Sequence, residues 1–113
     1  MKKVTAICPT VERLDLVKQL VGSYVSVMPK PRPEFVVVAQ GADDGTVGWC
    51  KHKGLEVITT PQALPFGHAV NLAAKKVTGD WLLLLNNDLI LQPTFWQGMT
   101  AMASKGYEVI GAK

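Results

Sequence analysis

The hydrophobic positions of this chain follow two alternating patterns. Short apolar runs at residues 4–8, 35–39, 55–59, 81–85 and 107–112 predict β-strands. Longer segments carry apolar residues every three or four positions, which predicts amphipathic helices. The helical stripes are Leu14, Val17, Val21, Tyr24 and Met28, then Phe66, Val70, Ala73 and Val77, and last Phe95, Met99 and Met102.

Residues that favour helix starts stand at the borders of these stripes. Thr10 is the predicted N-cap of the first long helix. Asp44 or Thr46 would cap a short helix that runs through Lys53. Pro93 is expected to start the last helix, because a proline is tolerated in the first helical turn.

Strand and helix alternate along the chain, which predicts an α/β fold with a mostly parallel sheet, flanking helices and right-handed crossovers. With 113 residues, positions 1–113 are expected to form a single domain. Ligands of such sheets bind beyond the carboxyl ends of the strands. Polar residues at 9–10, 40–41, 59–60 and 86–88 are therefore the expected surroundings of a site.

The run Trp-Leu-Leu-Leu-Leu at 81–85 predicts a central strand that is buried on both faces. Asn86, Asn87 and Asp88 follow it at once, so two carboxamides and a carboxylate are presented together at its tip. This arrangement suggests a ligand site. A plain strand-end turn or helix cap is the competing structural interpretation, since Asn and Asp favour both.

Composition limits what such a site serves. The chain is 48% hydrophobic and 19% charged, which is typical of a globular protein. Its net charge of +3 comes from scattered basic residues and makes a weak case for nucleic acid. Cys8 and Cys50 lack ligand-like spacing, so a reduced cytoplasmic protein is expected. Neither a leader peptide nor an apolar stretch long enough for a transmembrane segment is expected.

The remaining motifs narrow the chemistry by elimination. The sequence holds no GxGxxG, no phosphate-binding Gly-Lys-Ser/Thr and no GxSxG nucleophile elbow. Asp88 with its neighbouring amides remains. A hard divalent cation is often held by one or two carboxylates together with substrate phosphates, so a metal that bridges Asp88 and a diphosphate would fit these residues.

Four segments in order resemble the nucleotide-sugar-binding half of family 2 glycosyltransferases, which have the Rossmann-like GT-A fold. They are Gln40 to Thr46, Phe66 to Asn71, Gly79 to Trp81, and Leu85-Asn86-Asn87-Asp88 on to Pro93, and together they span nearly the whole chain. The resemblance implies that Asn86-Asn87-Asp88 is a DxD-type motif in which Asp88 binds Mg²⁺ or Mn²⁺. It also implies donor contacts from seven residues: Pro9, Thr10, Glu12, Gln40, Asn71, Asn86 and Asn87.

The implied activity is transfer of a sugar from a nucleotide sugar to the hydroxyl group of an unidentified acceptor. A UDP-sugar is the first candidate for the donor, and the family resemblance implies inversion of configuration at the transferred sugar. Two departures stand against full activity. Ala39 or Gln40 occupies the position of a family aspartate, and no residue matches the catalytic base, which the family's acceptor-binding half supplies. A non-catalytic nucleotide-sugar-binding or scaffold module, and a structural α/β module without ligand, are the alternatives.

The same resemblance leads to an expectation about assembly. In the family, a strand of the acceptor half lies between the strands that correspond to 81–85 and 107–112. Without it an apolar strand edge is left open, and open edges invite pairing with another chain. A homodimer formed near Leu83, Phe95, Met99 and Ile110 is therefore predicted, with pairing of the 107–112 strand onto 81–85 as the alternative.

Overall fold

Strands and helices alternate strictly in the computed structural model, which describes residues 3–77 and 80–105. The strands are β1 (Val4–Val11), β2 (Glu34–Gln40), β3 (Glu56–Thr60) and β4 (Trp81–Leu84). The helices are α1 (Leu14–Val27), α2 (Thr46–His52), α3 (Phe66–Ala74) and α4 (Phe95–Ser104). The predicted strand at 107–112 lies outside the described residues.

The strands form one parallel sheet in the order β3-β2-β1-β4. Val11 of β1 lies level with Gln40 of β2, which in turn lies level with Thr60 of β3. The carboxyl ends of these three strands therefore meet at one edge of the sheet. The predicted α/β fold with a parallel sheet and flanking helices is confirmed.

Side chains alternate between the two faces of the sheet and build a core on each side. Ala6, Cys8 and Val37 face α1, α2 and α4, where Leu20 and Tyr24 of α1 are buried. The opposite face carries a second cluster that packs under α3: Ile7, Val36, Val38, Ala69, Val70 and Ala73. Because every strand has period two, the continuous apolar runs of β1 and β2 supply both clusters.

One polar group in this core has no partner. The side chain of Thr5 in β1 is fully buried, and its hydroxyl makes no hydrogen bond within residues 3–77 and 80–105. Thr5→Val removes this group without changing the shape of the side chain, so the free energy of unfolding should rise by about 1 kcal/mol. Urea denaturation measures the change.

Thr60→Val is the matched control, because the buried hydroxyl of Thr60 does donate, to the carbonyl of Gln62 at 2.7 Å. Its loss leaves that carbonyl unpaired and should lower the stability by about 1 kcal/mol. Equal losses for both variants would show that the Thr5 hydroxyl is satisfied after all.

The start of the chain differs from the prediction. β1 runs to Val11, and Thr10 is a buried strand residue, so Thr10 as the N-cap of α1 is wrong; Arg13 stands at the cap position. The strand continues through Pro9 because β4 ends at Leu84, level with Ile7. Pro9 therefore lies past the β4 ladder, where its missing N–H breaks no strand pairing.

The strand at 81–85 is also placed differently. Within the described residues β4 lies at the edge of the sheet and pairs with β1 alone. Leu83 and Leu85 are buried against the α1 side, whereas Leu82 is 44% and Leu84 47% exposed. Burial on both faces is thus wrong for β4, because α3 covers Ile7 of β1 but leaves the neighbouring leucines of β4 exposed. Its central position stays a prediction, since residues 107–112 lie outside the described part of the chain.

The helices agree with their predicted stripes except at their ends. Phe95 and Met99 of α4 pack partly buried against the α1-side core, but Met102 is exposed. α3 ends at Ala74, before the predicted stripe residue Val77. α4 begins at Phe95, two residues after Pro93.

Candidate functional site

A cleft opens at the carboxyl ends of β1, β2 and β3, with a volume of about 130 Å³. Its floor consists of strand ends and its wall is the loop that leads from β2 into α2. The lining residues are Thr10, Glu12, Ala39, Gln40, Gly41, Ala42, Asp43, Asp44, Thr46, Val47 and Thr59. The cleft thus lies where ligands of parallel α/β sheets bind.

Asp44 holds the wall of this cleft in place. One carboxylate oxygen accepts hydrogen bonds from the backbone N–H of Thr46 at 3.2 Å and from the Thr46 hydroxyl. The other accepts from the backbone N–H of Leu14 at 2.9 Å. Asp44 therefore satisfies the amino-terminal turns of both α1 and α2, as expected of a structural cap. These hydrogen bonds, that of Thr46 first, lower the pKa of its carboxyl group.

Glu12 reaches the cleft through an unusual backbone conformation. It has a φ of +51°, in the left-handed region that side chains rarely adopt. An ideal Cβ on Gly41, itself at φ +81°, would lie 3.7 Å from the Glu12 carboxylate. The carboxylate therefore lies close to the glycine turn after β2, on the rim of the cleft.

Gln40 is a buried polar residue of the lining, with 4% of its surface exposed. Its side-chain Oε1 accepts a hydrogen bond from the backbone N–H of Leu64 at 2.7 Å. This bond ties the end of β2 to the loop before α3.

The turn after β4 is fastened to the same region. Asn87 is half-buried, and its Nδ2 donates to the hydroxyl of Thr10 at 3.0 Å. Further on, the backbone N–H of Leu91 donates to the Ser23 hydroxyl on α1 at 3.0 Å. These two bonds hold residues 86–91 across the end of β1, so the Asn86-Asn87-Asp88 segment stands beside the cleft.

Asp88 is exposed on this turn, and its carboxylate is close enough to influence the thiol of Cys8. Burial raises the pKa of Cys8 to about 12, with smaller contributions from Cys50 and from Asp88. Burial also raises the pKa of Cys50 to about 11. Both cysteines are free and stay protonated at neutral pH, so they fill the core and are poor nucleophiles.

A family model described as glycosyl transferase family 2 matches residues 5–113. The chain belongs to this family. The resemblance inferred from the sequence is therefore confirmed.

Solved structures with the GT-A fold of this family share the architecture. TarS 1-349 from S. aureus superposes with a TM-score of 0.77 and 22% identity, over 91% of this chain and 32% of that one. Mannosyltransferase PcManGT from Pyrobaculum calidifontis, in complex with GDP-Man and Mn²⁺, superposes with a TM-score of 0.70 and 22% identity. The match covers 82% of this chain and 30% of that one.

Glucosyl-3-phosphoglycerate synthase from Mycobacterium tuberculosis, in complex with UDP, gives a TM-score of 0.72 and 19% identity, over 93% of this chain and 41% of that one. The chain thus spans 30–41% of the length of these three proteins. No curated protein gives a significant match.

Within this family 2 domain, the residues predicted to contact the donor fall into three groups. Thr10, Glu12 and Gln40 line the cleft. Pro9 is half-buried in β1 next to Thr10 and does not line it. Asn71 is exposed on α3, which packs on the opposite side of the sheet from α1.

The Asn86-Asn87-Asp88 segment forms the third group, on the turn after β4, where the backbone N–H of Leu89 donates to the carbonyl of Asn86 at 3.3 Å. The described residues hold no cluster of three or more His, Cys, Asp or Glu side chains suited to a metal. A cation with oxygen-rich substrate ligands nevertheless fits here. It needs only one or two protein carboxylates, and Asp88 is exposed with the amides of Asn86 and Asn87 beside it.

Sequence reasoning missed several lining residues, among them Asp43 and Val47, whereas Thr59 belongs to a strand end that was expected to surround the site. The glycine-rich segment after β2 could have identified them, because turn residues that follow a buried strand of a parallel sheet lie at the edge where ligands bind. Asp44 or Thr46 was expected to cap α2, but Gly45 stands at its N-cap position and Thr46 is its first residue. Asp44 instead accepts from Thr46 from one position before the cap, while it also lines the cleft.

Proposed function

We propose that this chain binds a nucleoside-diphosphate sugar, with UDP as the nucleotide, for transfer of the sugar to an acceptor hydroxyl. The observation that carries the proposal is the position of the cleft beside the Asn86-Asn87-Asp88 turn, which the bond between Asn87 and Thr10 fixes. The two parts offer different chemistry to the two ends of one nucleotide.

The charges of the lining residues indicate which end of the nucleotide would bind in the cleft. Glu12, Asp43 and Asp44 give the cleft three carboxylates, and the described residues that line it include no lysine or arginine. Such a cleft repels phosphate and suits the neutral nucleobase and ribose. The diphosphate would extend toward Asp88, where a divalent cation offsets its charge.

Solved relatives support this assignment. TarS has a structure in complex with UDP-GlcNAc, PcManGT one with GDP-Man and Mn²⁺, and glucosyl-3-phosphoglycerate synthase one with Mn²⁺, UDP and phosphoglyceric acid. These three structures share the fold of this chain at 19–22% identity. They support a nucleotide sugar as the class of ligand, and the identity of the sugar has to be measured.

In the proposed reaction Asp88 would hold Mg²⁺ or Mn²⁺, with Asn86 and Asn87 close by. When bound, the cation would neutralise the charge that grows on the departing diphosphate. Thr10, Glu12 and Gln40 would orient the nucleoside, and Pro9 would act only through its neighbour Thr10, since it does not line the cleft. Inverting transfer then needs an acceptor hydroxyl on the face of the sugar opposite the diphosphate, and a base to take its proton.

A thermal-shift panel tests the proposal. UDP, GDP, CDP and ADP, and UDP-sugars, would be added with Mn²⁺, with Mg²⁺ and with EDTA. We expect the melting temperature to rise with UDP or a UDP-sugar in the presence of a divalent ion, because a ligand that binds only the folded state stabilises it. No shift with any nucleotide would overturn the proposal, whereas binding without release of UDP from the sugar would identify a nucleotide-sugar-binding module.

The setting and assembly of the chain are also part of the proposal. Two buried free thiols fit the reducing cytoplasm. No helix among the described residues has the length and hydrophobicity to cross a bilayer.

We further propose a homodimer. Leu83 would not form the contact, because it is buried within the chain, and Ile110 lies outside the described residues.

Leu82 and Leu84 are the exposed apolar residues of β4 and would form the dimer contact. Light scattering at low micromolar concentration should give twice the mass of the chain. Leu82→Ser with Leu84→Ser should give the monomer mass, while Val25→Ser, at an exposed position of α1, should leave the dimer intact. A monomer of the unaltered chain would contradict the dimer.

A further inference from the structure

Charged residues are divided unequally between the two ends of the sheet. The carboxyl ends of the strands, with the loops and helix starts that follow them, carry five carboxylates of the described chain: Glu12, Asp15, Asp43, Asp44 and Asp88. The beginning of α1 and its cap add two cations at this end, Arg13 and Lys18. Arg13 is already paired with Asp15 at 3.0 Å. The cleft end of the domain is therefore acidic.

The opposite end of the sheet, which we call the basal surface, carries an excess of positive charge. α1, α2 and α3 each return from the carboxyl end of one strand to the amino end of the next, so the residues at and after their carboxyl ends lie here. The exposed cations of this surface are Lys3, Lys30, Arg32, Lys51, Lys53, Lys75 and Lys76. Its exposed carboxylates within the described chain are Glu34, Glu56 and Asp80.

Stabilisation of helix ends accounts for little of this pattern. A cation stabilises a helix mainly from within its last turn. The last turn of α2 holds Lys51, whereas the last turns of α1 and α3 hold no basic residue. Lys30, Lys75 and Lys76 come after the helices, and their ammonium groups form no ion pair or hydrogen bond with any described residue. These groups are therefore available to an anionic partner outside the domain.

The layout of the basal surface favours a broad anionic partner. Its cations stand on both sides of the sheet, because α3 packs on the opposite face from α1 and α2. They surround the strand ends and do not line a groove. Proteins that follow a nucleic-acid strand typically combine a basic groove with exposed aromatic rings. Trp81, the aromatic residue at the start of β4, is half-buried and packs against the α1-side core. An anionic bilayer attracts clustered lysines without a shaped pocket.

We propose that the basal surface docks the domain on a bilayer that contains anionic lipids. Such a bilayer attracts the basal surface and repels the acidic cleft end, so the charge asymmetry also sets the orientation. The seven residues of β2 span about 20 Å between the basal surface and the cleft. The cleft therefore faces away from the bilayer and stays open. This inference does not depend on which ligand the cleft binds.

Sedimentation with lipid vesicles, in the absence of nucleotide, tests the docking. The chain should pellet with vesicles of phosphatidylglycerol and phosphatidylcholine in equal amounts, and it should stay in the supernatant with vesicles of phosphatidylcholine alone. Raising the salt concentration from about 0.1 M to about 1 M shortens the Debye length from about 10 Å to about 3 Å and should release the chain. Equal binding to both kinds of vesicle, or binding that high salt does not weaken, would overturn the proposal.

Lys75→Glu separates the basal surface from the net charge of the chain. Each unit of charge near an anionic bilayer changes the affinity about fivefold, so this reversal by two units should weaken vesicle binding about 25-fold. Lys18→Glu is the matched control, because Lys18 is equally a lysine on an exposed helix position but lies nearer the cleft end. It should weaken binding less than twofold. Equal weakening by both variants would show that net charge acts and would overturn the basal surface.

Nuclear magnetic resonance on the unaltered chain tests the orientation. Small lipid discs of the same anionic composition, with a nitroxide on the lipid headgroup, should broaden the backbone amide resonances of Lys53 and Lys75 more than those of Gly41 and Gly45. The reverse order would overturn the orientation, and tighter binding to random-sequence RNA than to anionic vesicles would overturn the bilayer as the partner. None of these measurements involves a nucleotide. The absence of nucleotide binding would therefore overturn the proposed function alone, and the absence of vesicle binding this inference alone.

Discussion

Replacing Asp88 with alanine should abolish the part of nucleotide-induced stabilisation that depends on a divalent cation. Asp88 is exposed on a turn that two hydrogen bonds hold in place, from Asn87 to Thr10 and from Leu91 to Ser23. Its side chain makes neither bond, so the variant should fold with unchanged stability. At a hundred times the dissociation constant, UDP with Mn²⁺ should add about 2.7 kcal/mol to the unaltered chain. We expect Asp88→Ala to lose most of this.

Glu34→Ala serves as the control for Asp88→Ala. Glu34 is also an exposed carboxylate, but it begins β2 and therefore lies at the opposite end of the sheet from the cleft. Its removal changes the net charge by the same amount and should leave the response to UDP and Mn²⁺ intact. Equal thermal shifts with EDTA and with Mn²⁺ in the unaltered chain, or a full response in Asp88→Ala, would contradict a metal at this turn.

The fold was predictable where a local pattern and its tertiary surroundings agree. Residues 35–39 lie within β2, and Val17 and Val21 of α1 are buried as their spacing predicts. The error at β4 has a tertiary cause. Four consecutive leucines look alike in the sequence, yet Leu83 is covered by the α1-side core and Leu84 is not, because α3 stops short of β4. The leucine sequence alone does not show which face of the strand another helix will cover.

Sequence rules identified some of the residues that line the cleft but not how their side chains are held. The rule that ligands bind at the carboxyl ends of parallel strands located Thr10 and Gln40, which line the cleft. The orientation of the Gln40 amide could not be foreseen, since it depends on Leu64, 24 positions further along the chain. The cap of α1 was misassigned to Thr10 for the same reason, because its actual partner, Asp44, lies 30 positions from Leu14.

Removal of the Asp44 carboxylate should destabilise the fold by about 2 kcal/mol, at the upper end of the range for a helix cap, because it serves two helices at once. Asp44→Ala leaves the backbone N–H groups of Leu14 and Thr46, and the buried Thr46 hydroxyl, without their acceptor. Asp43→Ala is the control, since Asp43 is the adjacent carboxylate and, among residues 3–77 and 80–105, accepts from the Gly45 N–H alone, at 3.0 Å. It should cost less than half as much in urea denaturation.

Acid should reproduce the effect of Asp44→Ala in the unaltered chain. The bonds to Thr46 and Leu14 favour the ionised carboxylate and lower its pKa in the folded state. A carboxyl group with a lowered folded pKa contributes stability that is fully present above its unfolded pKa of about 3.9 and is lost as the pH falls through the folded value. The difference in unfolding free energy between the unaltered chain and Asp44→Ala should therefore be constant above about pH 5 and shrink below pH 4. A difference that persists unchanged into strong acid would mean that Asp44 acts through its shape alone, and a difference that grows on acidification would show that its carboxyl is protonated in the folded state.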